Sequence, residues 1–158
     1  VVTAELGATA AAPLIGTTKS FPGTGYCKTY GCSHITTVPL STNLKHFTYS
    51  LKPEFPGYPA NQAFVVRDGT RAVSAGLRIG GQDWVFGPDF HGTRQLADLI
   101  ALTTGKRPTN AWVSNLKCQN IQDGGAALNK HQGTNRTYTV ACVVSPGMGF
   151  VNFDVSIY

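Results

Sequence analysis

The stretch from Ala63 to Pro108 constrains the fold more than any other part of the chain. Phe64-Val65-Val66-Arg67 runs into Asp68-Gly69, and Thr70-Arg71-Ala72-Val73 follows. Asp-Gly readily takes the positive φ angles of a type I′ turn, so this spacing predicts a β-hairpin. The second strand continues through Leu77 and Ile79 to a further turn at Gly80-Gly81. Gln82 to Phe86 then returns with Trp84 and Phe86 on one face, and Gly87-Pro88 stops the pairing because proline has no N–H to donate.

An amphipathic helix is predicted next, over 93–104. Thr93 is its expected N-cap, with Asp89 and Gly92 as alternatives. Leu96, Leu99, Ile100 and Thr103 recur at three- and four-residue spacing and form one apolar stripe. Gly105 suits the position just past the helix, Lys106-Arg107 suits the negative helix end, and Pro108 forbids continuation. A single short helix cannot enclose a core, so the stripe must lie on a sheet.

Alternation places strands elsewhere. His34 to Leu40 is one, and Thr42 to Lys52 is another with Phe47, Tyr49 and Leu51 on one face. Ala111 to Ile121 reads as a strand presenting Trp112, Ser114, Leu116 and Cys118. Residues 122 to 134 read as a polar connection. Arg136 to Val144 presents Tyr138, Val140, Cys142 and Val144, and Phe150 to Tyr158 presents Val151, Phe153, Val155 and Ile157. The sum predicts an α+β fold, a largely antiparallel sheet of seven to eight strands with one helix. A β-sandwich carrying one helix is the competing arrangement.

The first 26 residues are rich in Ala, Thr, Gly and Pro, and Pro13, Gly16, Pro22 and Gly23 break any helix. Val2, Ala4, Leu6 and Ala8 alternate as a strand would. We read residues 1–26 as an extended arm and 27–158 as a single disulfide-linked domain, a size suited to one core. Charged residues make up only 13% of the chain, about half the usual share, so its surface must rely on small polar side chains. The net charge of +5 is scattered, with one adjacent basic pair and no aromatic–basic repeat, so nucleic acid is not an indicated partner. No apolar run approaches the ~18 residues of a transmembrane helix.

Four cysteines in so weakly charged a chain point to an oxidising, extracytoplasmic compartment. We expect Cys27–Cys32 and Cys118–Cys142. With Cys118 and Cys142 opposed in one hairpin, all the bulky residues of both predicted strands share a side, and opposed residues are near enough to bridge. That link would close a loop of about 25 residues and contribute about 3 kcal/mol. Cys27, Cys32, His34 and His46 match no common zinc spacing, so no metal is expected, nor any other cofactor.

No motif for nucleophilic, phosphate-binding or zinc chemistry occurs. His91 and His131, with Asp89 on the loop beside His91, are the residues a secreted hydrolase such as a ribonuclease would use. Tyr26, Tyr30, Phe55 and Tyr58 lie in predicted loops and are the candidate aromatic surface of a carbohydrate- or protein-binding module. Asn135-Arg136-Thr137 fits the N-glycosylation pattern. The first expectation is neither of these activities. It is a non-catalytic structural subunit of an extracellular filament, surface layer or shell, a homo-oligomer that pairs its arm with a neighbouring subunit.

Overall fold

A computed structural model describes residues 12–54, 56–57, 59–81, 92–116, 126–146 and 151–158. Its elements in chain order are α1 (Gly25–Tyr30), β1 (Ser33–Pro39), β2 (Leu44–Ser50), β3 (Gln62–Asp68), β4 (Arg71–Gly81), α2 (Thr93–Thr104), α3 (Asn110–Ser114), β5 (Ala126–Gln132), β6 (Thr137–Pro146) and β7 (Val151–Ile157). The strands form one sheet in the order β1-β2-β3-β4-β7-β6-β5, and every neighbouring pair is antiparallel. The α+β expectation holds, with the seven described strands in a single sheet instead of a sandwich.

Side chains alternate across each strand, so the register separates two faces. Ala63 and Val65 of β3, Ala75, Leu77 and Ile79 of β4, and Phe153, Val155 and Ile157 of β7 share one buried face. Tyr138, Val140 and Cys142 of β6 extend it. The predicted alternation of the two C-terminal strands is therefore the one observed. Helix α2 spans the predicted residues and lays Leu96, Leu99 and Ile100 into this core, all fully buried. Gly92 rather than Thr93 occupies the N-cap, and no side chain bonds there. Gly105 ends the helix at φ 83°, its N–H on the Ala101 carbonyl, a conformation that would strain any side chain. Thr103 and Thr104, fully buried, donate their hydroxyls to the Leu99 and Ile100 carbonyls one turn back.

The β3–β4 hairpin forms with a different turn. Asp68 pairs with Arg71, which leaves Gly69-Thr70 as the loop, and the register shifts between Val66 and Arg67. Only Gly69 has a positive φ, 61°, whereas a type I′ turn needs two such residues.

Three local readings are corrected. Residues 25–30 are not a loop: Thr24 accepts the Cys27 N–H on its hydroxyl, Gly31 closes at φ 69°, and a short helix forms between these caps. Residues 110–114 are helical, not extended. Thr109 accepts the Trp112 N–H at 3.0 Å, and this local cap outweighs the alternation that suggested a strand. The partner of β6 is instead β5, placed within the segment read as a polar connection. Its core-facing positions include Asn129 and His131, so apolar alternation does not mark it.

The boundary between arm and domain also moves. Leu14 and Phe21 are both 1% exposed and belong to the core. The Leu14 N–H bonds the Leu102 carbonyl, Gly16 bonds Ala72, and Ala72 bonds Thr17 in return. Full burial of two such side chains stabilises by roughly 1.5–3 kcal/mol each, which fastens this segment to α2 and β4. Val2, Ala4, Leu6 and Ala8 lie outside the described residues.

Candidate functional site

Among the described residues, the three helices lie on one side of the sheet and no segment covers the other. Five strands contribute to a half-open groove of about 400 Å³ on that open face. Its floor is aromatic. Phe64 of β3 stands directly opposite Gly76 of β4, and a Cβ on Gly76 would fall 2.1 Å from the ring's Cζ. The missing side chain is what lets the ring lie across the neighbouring strand. The His46 imidazole stacks on Phe64, with centroids 4.9 Å apart and planes 22° from parallel.

Beside the rings, Arg78 of β4 and Asp154 of β7 are directly paired across the strands. Arg78 Nε donates to Oδ1 at 2.7 Å and Nη2 to Oδ2 at 3.0 Å, a fork that fixes both groups. Half the Arg78 side chain remains exposed, so this pair serves geometry more than stability. Thr48, Ser74 and Ser156 add hydroxyls, and Gln62 an amide. Burial lowers the His46 pKa and the Arg78 charge lowers it further, so the imidazole is neutral at physiological pH. Among the described lining residues Arg78 and Asp154 offset each other, with donors and acceptors set beside the flat Phe64 ring.

The second feature is an edge. Among the described strands β1 pairs only with β2, all seven of its residues are exposed, and none is Lys, Arg, Asp or Glu. Ile35 and Val38 are 50% and 45% exposed, and Leu40 just beyond the strand is also exposed. Strand edges are ordinarily guarded by charge, proline, a bulge or a covering element, and of these β1 has a bulge between His34 and Thr36 and a proline at its end, Pro39. The opposite edge, β5, carries Lys130 and an exposed Leu128.

The expected site residues are dispersed. Tyr26 and Tyr30 are not surface aromatics. Their i, i+4 spacing on α1 buries both, with ring centroids 4.8 Å apart. The Tyr26 hydroxyl donates to the Gln95 carbonyl at 3.0 Å and that of Tyr30 to Asp98 at 2.5 Å. Phe55 and Tyr58 lie outside the described residues. So do Asp89 and His91. His131 is buried on the helix side of β5, its Nε2 against the Lys106 carbonyl at 2.8 Å and its ring beside Trp112. Burial lowers its pKa, and this setting makes it a structural residue, not an exposed acid or base.

Cys27 and Cys32 form the expected disulfide, which removes both thiolates as metal ligands. Cys142 is also disulfide-bonded and fully buried, while Cys118 lies outside the described residues. The expected hairpin opposing those two cysteines is replaced: Cys142 stands between Ala127 and Val155. Asn135 of the glycosylation pattern is exposed, and its Oδ1 accepts the Tyr138 hydroxyl. No helix among the described residues is long and apolar enough to cross a membrane.

Sequence reasoning missed His46, Phe64, Arg78 and Asp154. The available signal was a bulky ring on the less apolar face of β3, with a glycine one hairpin away. No family model, curated protein or solved structure matches this chain.

Proposed function

We propose that the protein is a non-catalytic structural subunit of an extracellular or surface assembly, in which the alternating segment Val2–Ala8 of one copy adds to the β1 edge of the next. The observation that carries this reading is the exposed β1 edge, which carries no Lys, Arg, Asp or Glu. An unpaired edge offers a row of N–H and C=O groups to an incoming strand, and main-chain bonds supply the affinity. The arm segment and β1 are each seven residues long, and pairing would run along β1 around its bulge between His34 and Thr36 and stop short of Pro39, which has no N–H to donate. Ile35, Val38 and Leu40 then supply the apolar surface that a flanking subunit would cover. The Cys27–Cys32 disulfide supports an oxidising location.

Deleting residues 1–11 tests the reading, because the segment from Leu14 onward belongs to the folded core. Sedimentation should show the intact chain as oligomers and the shortened chain as folded monomers. Ile35→Lys, which places a charge on the edge, should have the same effect. Equal assembly by the shortened and intact chains would refute the proposal, as would an intact chain that stays monomeric at every concentration.

A further inference from the structure

The described lining of the open-face groove comes from β2, β3, β4, β6 and β7, and its His46 and Thr48 stand opposite Val38 and Thr36 of β1. Its volume falls in the lower part of the ~300–1,000 Å³ range of small-molecule sites. Charge narrows the ligand. The fork between Arg78 and Asp154 cancels both charges, so an anionic ligand would have to displace Asp154 and a cationic one Arg78. Chemistry narrows it again. The fork uses two of the five guanidinium N–H groups and two of roughly four carboxylate lone-pair sites. It therefore holds further donors and acceptors at fixed spacing, with the hydroxyls of Ser74 and Ser156 nearby. The Phe64 and His46 rings are flat and near-parallel, and that of Phe64 is apolar. A flat apolar floor beside rigid, neutral donor–acceptor pairs complements a ring that has a C–H face and adjacent hydroxyl groups.

We propose that this groove binds a neutral saccharide, with the Phe64 ring against the C–H face of a sugar and the Arg78–Asp154 pair engaging neighbouring hydroxyls. The binding is independent of the edge pairing: it needs no arm, and a chain lacking residues 1–11 should retain it.

The test titrates the intact protein with neutral trisaccharides of glucose, mannose, galactose and N-acetylglucosamine, followed by amide NMR shifts. At least one should saturate at millimolar concentration, with shifts centred on Phe64, Gly76, Arg78 and Ser156. Phe64→Ala should weaken that binding about tenfold. Ser74→Trp fills the groove from a half-exposed position without touching the core, so it should abolish binding even if Phe64→Ala fails to fold. Absence of shifts with all four sugars would overturn the proposal. Binding that survives Ser74→Trp would do so too, and so would tighter binding of a sulfated form of the same sugar, which marks an anion site.

Discussion

Gln95 is a polar residue in the middle of the core, and replacing it by leucine should be costly although leucine suits apolar surroundings. Gln95 is fully buried on α2. Its Nε2 donates to the Lys52 carbonyl at 2.9 Å, and its Oε1 accepts Asn61 Nδ2 at 2.8 Å. Its main-chain carbonyl accepts the Tyr26 hydroxyl. One side chain thus holds both ends of the connection between β2 and β3, and the same residue anchors α1. Gln95→Leu removes both side-chain bonds while leaving their partners in place. Each buried group stripped of its partner costs about 1–3 kcal/mol. The Asn61 amide, 1% exposed, should bear the larger share of this, and the part-buried Lys52 carbonyl the smaller. After roughly 1 kcal/mol is returned by the added apolar burial, the net loss is about 2–3 kcal/mol. For a chain this long that is a fall in Tm of about 5–10 °C.

Urea denaturation with the disulfides intact measures the loss directly. Gln95→Leu/Asn61→Leu should recover part of it, since the double change removes the stripped partner as well. Gln95→Glu adds a sign test. An ionised carboxylate there would face the Lys52 carbonyl with no proton to donate, so its folded-state pKa must lie above the unfolded value. That variant should be most stable at low pH and lose stability as pH rises through the raised pKa. A Gln95→Leu protein within about 0.5 kcal/mol of the parent would refute the reasoning.

Leu14→Ala should destabilise by about 2–5 kcal/mol if the segment before α1 is core, and by next to nothing if it is a detachable arm; thermal melts separate the two. Glu54 has a raised pKa, chiefly from burial, partly opposed by the Arg94 backbone N–H. A carboxyl raised in the folded state contributes stability below its unfolded pKa that is lost as pH rises through the folded one. Between about pH 4 and pH 7, Glu54→Gln should therefore lose less stability than the parent does, and an identical pH profile for the two proteins would contradict the assignment.

What was legible in the sequence was whatever local rules decide. Helix α2 announced itself through an apolar stripe, a closing glycine and a following proline. The last two strands did so through clean alternation, because one face meets the core and the other stays open. Strand β5 escaped notice because Asn129 and His131 occupy its core-facing positions, where alternation reads polar on both sides. Tyr26 and Tyr30 were misplaced for want of length. Six residues hold too little period to reveal a helix, although Thr24 and Gly31 flank them as a cap pair. Gln95 reads as an ordinary polar helix residue until its partners, 34 and 43 positions away, are known. The groove is the least legible feature of all. Its residues come from five strands, and only the register that sets Phe64 opposite Gly76 and Arg78 opposite Asp154 assembles them.

The strand order bears on how the chain becomes folded. β1 to β4 form a meander of successive neighbours, and β5 and β6 form another. Among the described strands only β7 joins the two halves, pairing with β4 on one side and β6 on the other. On a ribosome the first half can pair early, but the β4 edge must wait for residues near 157 before it is closed. Until then Leu77 and Ile79 lie beside an open strand, and that interval is when a partly made chain is most exposed to mispairing.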